Sequence, residues 1–579
     1  MYKVTEEPLG TPRPIRVIVV GAGASGLNTA RHMDLHMTNF ELTVYEKNSD
    51  VGGTWFENRR AFNYNLGELL LIIDIDTDTL GALVTFHLTT ISSTGSRTRS
   101  GLIISSCYII DKLSYSPWDE ILEYFRGIAR KYELYRYIKL EHNVCEATWD
   151  EAEGVWRVKI RVLESGEILE DHCHVLINGN GVLNNWKWPD IPGLHSFGGD
   201  LVHSATWSTE HNVDGKRVAV LGSGSSGIQI IPNIQPRTES LFAFVRSPTW
   251  ITAGFAQSHA GPGGANFAFS EQQKSEFREN PEVYLRYRKE IEGELNTRFK
   301  FVIADSEEQA TARQFSVNEM KGKITDDKLV RHLMPDNFAV GCRQPTPGNG
   351  YLEALSKGNV RVVTDEISRV SPEGIVLVTG ETLELDTLIC ATGFDISFCP
   401  RFKLIGRNEQ DIEDLWREKP EAYLSTAVPG FPNYFMFLGP NSPVGHGSVL
   451  PIIEHATKYI INMMKKIQTQ DVKAVSPSPA AVKDFNEHTA EFMKRTAWAT
   501  PCRSWFKNGT VDGPIVALHP GSRIHWFHMM QNIRFEDFEY TYYGDNRFQC
   551  LGNGFSTKEE MPGDTTWYFD APEDGYNEY

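Results

Sequence analysis

Two short glycine runs constrain this chain more than anything else in it. In "RVIVVGAGASGLNTARHM", a continuous apolar run from Val17 to Val20 leads into Gly21-x-Gly23-x-x-Gly26 and then into good helix formers. That order spells strand, tight turn, helix. Gly21 permits the turn, Gly23 lets backbone approach a pyrophosphate, Gly26 allows close helix packing, and the free N–H groups at the helix start face the anion. A second strand candidate, "ELTVYE", ends at Glu46, 20 residues after Gly26. A carboxylate there can accept the hydroxyls of an adenosine ribose, so the register predicts a dinucleotide site for FAD or NAD.

The pattern recurs in "KRVAVLGSGSSGIQII", where a strand from Val218 to Leu221 precedes Gly222-x-Gly224-x-x-Gly227. The partner position differs in charge. The next strand, "LFAFVRSPTW", ends in Arg246, 19 residues after Gly227. A guanidinium pairs with a ribose 2′-phosphate, which a carboxylate would repel, so the second site reads as NADP; the competing reading is a solvated strand-end charge. Two such folds in one chain describe an α/β protein that passes hydride from NADPH to a flavin. The other use of that layout, disulfide reduction, needs a redox cysteine pair. The eight cysteines, at 107, 145, 173, 342, 390, 399, 502 and 550, contain no CxxC. Electrons on the flavin then go to dioxygen or to an organic acceptor.

Composition narrows the partners. The 579 residues carry 57 basic and 75 acidic side chains, a formal charge of −18, which repels phosphate backbones and anionic membranes; nucleic acid is not an expected partner. The sparse cysteines read as reduced thiols of an intracellular protein. "MYKVTEEPLGTPRPIR" has no secretory pattern. The best membrane candidate, the stretch from Leu69, is interrupted by Asp74, Asp76 and Asp78, so a cytoplasmic protein without membrane insertion is expected, and no metal site.

Just before the second glycine run lies "FGGDLVHSATW", that is Phe197-x-Gly199-x-x-x-His203-x-x-x-Trp207. This resembles the FxGxxxHxxxW fingerprint of Baeyer–Villiger monooxygenases, a branch of the class B flavoprotein monooxygenases. "GGTWFENR" at Gly52, "RSPTW" at Arg246, "ATGF" at Ala391 and "GPNSPVGHGS" at Gly439 match as well, and "NRFQCLGNGFS" looks most like fungal members. The resemblance implies FAD and NADP as cofactors and a ketone and dioxygen as substrates. It implies insertion of one oxygen atom beside the carbonyl to give an ester or lactone, with a place in fungal secondary metabolism. It assigns Gly52, Gly53, Thr54 and Trp55 to the flavin side, and to His203 a role in a linker that couples the two nucleotide folds. The rival readings are an amine- or sulfur-oxidising relative, which Trp207 disfavours, a catalytically impaired nucleotide-binding homologue, and a two-dinucleotide interaction module without catalysis.

The expected organisation is a discontinuous FAD domain, residues 1–205 and 390–579, with an NADP domain, 206–389, inserted between them. "EQQKSEFRENPEVYLRYRKEIEGEL" reads as part of a helical cap spanning about 255–340. Asp386 precedes "LICATGF", where the family returns to the flavin domain. After a segment without family match, Pro117 opens an amphipathic helix carrying Ile121, Phe125, Ile128 and Tyr132.

The chain departs from the family pattern twice. The arginine that steadies the oxygen-derived anion falls, counted back from Tyr351, on Gln344, with Arg343 beside it. A one-residue offset in extended backbone turns a side chain to the opposite face, and an amide carries no charge, so either Arg343 substitutes or oxygen transfer is impaired. Residues 60–115 replace the family's YPG stretch and its supporting aspartate. There a five-residue apolar run, Leu69 to Ile73, meets alternating acids and then a Ser/Thr/Arg stretch. Local pattern and propensity disagree, so the interval reads as translated intron rather than a designed element, a substrate-binding insertion being the competing account.

Overall fold

The computed structural model describes residues 3–57, 116, 118–182, 184–207, 211–252, 254, 256–261, 267–348, 350–560 and 565–566. The 60–115 interval, with the apolar stretch from Leu69, lies outside the described residues. Each glycine run grows out of a central strand of its own parallel sheet. The first, Ile15–Val20, is almost wholly buried, as a strand covered on both faces should be. Its sheet runs Tyr434–Met436, Val175–Asn178, Ile15–Val20, Phe40–Tyr45, Ile138–Lys139, all parallel. The second sheet repeats the plan around Arg217–Leu221: Val360–Val363, Ser240–Phe244, Arg217–Leu221, Thr387–Cys390, Asp200–His203. The fold is α/β with two Rossmann-like units.

Each sheet borrows its fifth strand from a distant part of the chain. The first takes Tyr434–Met436 from the C-terminal part; the second takes Asp200–His203, which lies on the N-terminal side of the boundary expected near 205. Register decides this. Asp200 N–H donates to the Asp386 carbonyl at 2.9 Å, and four residue pairs then follow to Cys390↔His203. The helices Glu271–Glu279, Pro281–Thr297, Glu307–Lys323 and Asp327–Leu333 occupy the stretch read as a cap. Local chemistry starts them: Ser270 and Gln273 form a capping box, and Pro281 stands in the first turn of the next helix. The helix Trp118–Lys131 buries Ile121, Phe125 and Ile128, its apolar stripe, in the first core.

One expectation is corrected. Cys342 and Cys502, 160 residues apart, form a disulfide, whereas Cys145, Cys173, Cys390, Cys399 and Cys550 are free thiols. No local motif marks the pair because long-range backbone pairing brings the two segments together: Ile303 bridges Thr496, and Ala304 N–H donates to the Arg495 carbonyl at 2.9 Å. No helix among the described residues is long and apolar enough to cross a membrane.

The helix of the first glycine run, Ala24–His36, packs on the long helix Val449–Thr469. At that contact His32 Nε2 lies 3.1 Å from Glu454 Oε2, with both side chains almost fully buried. Burial opposes ionisation of Glu454, but the hydrogen bond and charge of His32 and the charge of Lys458 hold it down to about 2 from an ordinary 4.5. A carboxyl depressed on folding contributes stability above its unfolded pKa and loses it as pH falls toward the folded one. Glu454→Gln should therefore cost about 3 kcal/mol at neutral pH, because breaking a buried pair strands its partner. In denaturant titrations the gap to wild type should close as pH falls from 4.5 toward 2. A gap independent of pH would assign the loss to packing alone.

Candidate functional site

The first glycine turn is built by contacts that no side chain permits. Gly21 has φ of +100°, and a Cβ on Gly26 would stand 2.0 Å from the Gly21 carbonyl oxygen, so the helix start lies directly on the turn. Glu46 follows the strand Phe40–Tyr45 and is 3% exposed. Its Oε2 accepts the Ala22 N–H at 2.7 Å and its Oε1 accepts the Asn48 N–H at 2.9 Å. Burial pushes this carboxyl up, and the two backbone donors oppose that. Each oxygen keeps a further lone pair. Glu46 thus fixes the turn and still presents acceptors to the cleft that it lines.

That cleft, about 1100 Å³ with its mouth, is lined by Gly21, Gly23, Glu46, Gly53, Thr54 and Trp55 together. A Cβ on Gly53 would stand 2.9 Å from Gly23 Cα, so the two glycine segments meet as a floor of bare backbone. Two further lining residues carried no signal in the sequence. Among the described residues, Arg401 Nη2 and Asn180 Nδ2 are buried without a hydrogen-bond partner. Desolvation lowers the Arg401 guanidinium to about 10, against the raising charges of Glu57 and Asp395. Arg401 reaches the cleft because the next strand, Lys403–Ile405, pairs with Glu146–Thr148, a contact that local spacing cannot disclose. Orphaned donors over a bare backbone cradle fit the pyrophosphate of a dinucleotide.

The second turn has the same geometry. Gly222 has φ of +124°, and a Cβ on Gly227 would stand 1.9 Å from the Gly222 carbonyl oxygen. A Cβ on Gly224 would meet no atom of the described residues within 4 Å, which leaves room for a ligand against its backbone. Arg246, just beyond the strand Ser240–Phe244, is exposed. The segment holding Arg343 and Gln344 lies against this fold: the Thr346 hydroxyl is 2.8 Å from that of Ser225, at the start of the helix Ser225–Ile234, and Thr346–Pro347 pairs with Ile251–Thr252. Arg343 is half-buried with its guanidinium 5.6 Å from the Phe338 ring centre. Burial, then the charges of Arg246 and Arg503, pull its pKa below the usual arginine value. Arg343 therefore lies within electrostatic reach of Arg246, and Gln344 stands in the same segment.

His203 ends the edge strand of the second sheet and is 0% exposed, outside the lining of the first cleft. Its ring stacks on Trp186 at 4.5 Å and meets Trp188 edge-on at 5.7 Å. Nδ1 accepts the Ala205 N–H at 3.2 Å, and Nε2 lies 3.3 Å from the Thr392 hydroxyl of "ATGF". Trp186 also bridges Phe394, so the outbound and returning connections between the folds are fastened to each other at this histidine. Trp207 is buried in the second core.

Comparison with known proteins agrees with this geometry. Residues 109–319 match the model of the flavin-binding monooxygenase-like family, and residues 19–70 match that of the NAD(P)-binding Rossmann-like domain. The chain is 36% identical over 96% of its length to the FAD-binding monooxygenase tazF of Aspergillus terreus, covering 95% of that protein. It is 27% identical over 89% of its length to a Baeyer–Villiger monooxygenase of Pseudomonas aeruginosa, covering 90% of it. Among solved structures, cyclohexanone monooxygenase from Rhodococcus sp. Phi1 bound to NADP+ is similar with a TM-score of 0.74 and 26% identity, over 92% of this chain and all of that one. The chain belongs to the flavin-binding monooxygenases, among the fungal FAD-binding members of Baeyer–Villiger type. It is an NAD(P)H-dependent flavoprotein monooxygenase with FAD and NADP(H) as cofactors.

The two glycines of the first turn should separate on mutation. Gly23→Ala meets only ordinary contact within the protein, at 3.4 Å from Gly53 Cα, so it should fold normally yet lose FAD. Gly26→Ala collides with backbone and should destabilise the fold itself, by about 2 kcal/mol or more. Flavin content and thermal unfolding of the purified variants check both; a Gly23→Ala protein with full flavin content would place the pyrophosphate elsewhere.

Proposed function

We propose that the enzyme inserts one oxygen atom from dioxygen next to the carbonyl of a small-molecule ketone, giving an ester or lactone, in fungal secondary metabolism. The observation that carries this reading is the pair of equivalent glycine turns with opposite charges at the ends of their second strands: Glu46 at one, Arg246 with Arg343 at the other. In this reading Gly21, Gly23, Gly26, Gly53, Thr54, Trp55 and Glu46 hold FAD, with Asn180 and Arg401 offered to its phosphates. Gly222, Gly224, Gly227 and Arg246 hold NADPH. FAD reduced by NADPH supplies the electrons that activate dioxygen.

The chain's own residues have three tasks. The bare backbone floor and buried Trp55 exclude water from the flavin side. His203 is a positioning residue: its bond to Thr392 and its stack on Trp186 hold the two connections in register, so the coenzyme fold keeps its bearing on the flavin fold. Gln344 stands where the family carries an arginine and offers an amide donor in its place. Arg343, drawn toward Arg246, serves the coenzyme rather than the oxygen.

The test is product mass after incubation with NADPH and air. Gain of one oxygen by a ketone supports the proposal; gain by amines or sulfides alone would replace it with N- or S-oxygenation. NADPH consumption without oxygenated product would mark an impaired homologue, the outcome that Gln344 would explain.

Two variants refine the roles. Arg246→Ala should weaken NADPH by about 1.5 to 3 kcal/mol, a charge-assisted contact, and leave NADH nearly unchanged. Equal loss for both coenzymes would make Arg246 a support of the fold. Gln344→Arg should raise the share of consumed NADPH recovered as product and lower hydrogen peroxide release, because a cation stabilises a developing anion better than an amide. If coupling is unchanged and Arg343→Ala abolishes oxygenation, Arg343 is the donor.

A further inference from the structure

The disulfide joins two segments that each carry an arginine next to the cysteine. Cys342 and Cys502 have Cα atoms 6.4 Å apart; Arg343 follows the first and Arg503 the second. Around the bridge the segments are sewn together: the Ala339 N–H donates to Thr500 Oγ1 at 3.1 Å, and buried Lys507 Nζ donates to the carbonyls of Thr500 at 2.5 Å and Val511 at 2.8 Å. Arg343 lies within electrostatic reach of both Arg246 and Arg503, and among the described residues its buried Nε has no hydrogen-bond partner. Elsewhere arginines at strand ends find acids, as Arg217 finds Asp386 at 2.9 Å. Among the described residues, none of these three guanidiniums forms an ion pair with a carboxylate, although the chain is acidic at −18 overall. Gathered cations without acids repel one another and attract a multiply charged anion.

We propose that Arg503, held in place by the Cys342–Cys502 bridge, is the third arm of the site that reads the coenzyme's ribose phosphate. The proposal rests on the reading of the second fold as an NADP site. It adds that coenzyme recognition is shared: Arg246 comes from just beyond a strand of the second sheet, Arg343 from the segment after the cap, and Arg503 from the C-terminal segment, whose Cys502 packs in the second core and whose Trp498 and Phe506 pack in the first. Both Arg246 and Arg503 are exposed, hence open to a ligand, while Arg343 is half-buried. The bridge is the positioning element. A dithiol that reduces it to two thiols, and is itself oxidised to a cyclic disulfide, would free Arg503 from its place beside Arg343.

Calorimetric titration of the FAD-loaded enzyme with NADP+ and with NAD+ tests this. Arg503→Ala should weaken NADP+ about ten-fold and NAD+ hardly at all, with partial recovery in Arg503→Lys. After treatment with dithiothreitol the wild type should fall to the affinity of Arg503→Ala, and Arg503→Ala should not change further. Arg246→Ala is the control. If Arg246→Ala loses NADP+ selectively and Arg503→Ala does not, the third arm is refuted while the NADP site stands. If neither variant discriminates between the coenzymes, the NADP reading of the second fold fails. If Arg503→Ala discriminates but reduction leaves the wild type unchanged, the bridge has no positioning role and that half of the proposal is overturned.

Discussion

The approach of a helix start onto the carbonyl of its own glycine turn is the contact from which the rest of this molecule is laid out. At 2.0 Å in the first fold and 1.9 Å in the second, the room for a Cβ is absent, so Gly26 and Gly227 admit no other residue without displacement of backbone. The contact draws the helix against the central strand and aims its free N–H groups across the turn. Each sheet then has a bare edge of backbone at the same place, with Glu46 after the neighbouring strand of the first and Arg246 after that of the second.

Those side chains make the two sites chemically distinct on one geometry. Glu46 is tied by two backbone donors at the first turn; beyond the matching strand of the second, Arg246 and Arg503 act electrostatically on Arg343. The connections are equally specific. The outbound linker supplies the edge strand of the second sheet, and the returning strand Thr387–Cys390 lies between that edge and the central strand. His203 and Thr392 join the two where they cross. The buried His203 ring is thus in contact with both connections between the two folds.

Much of this was legible in the sequence because it is local. The glycine spacing, the acid or base at the end of the next strand and the amphipathic run beginning near Trp118 each follow from residues a few positions apart. What escaped depends on long-range pairing. Arg401 and Asn180 reach the cleft through strands that meet across the chain. Cys342 and Cys502 have no motif, since 160 residues separate them and cap–tail pairing joins them. The edge strand from Asp200 was assigned by order along the chain, whereas hydrogen-bond register gives it to the second sheet. Adjacency in sequence pairs Arg343 with Gln344 but says nothing of Arg246, whose charge acts on Arg343 from beyond the strand Ser240–Phe244.

The central claim is that one fold holds a flavin and the other delivers reducing power to it from NADPH. The most direct measurement is the absorption spectrum of the purified protein under argon, before and after addition of NADPH and, separately, NADH. The account predicts a yellow protein with one FAD per chain, bleached by NADPH faster than by NADH and recoloured on admission of air. A folded protein that neither contains nor takes up FAD, or a bound flavin that NADPH leaves oxidised, would contradict it.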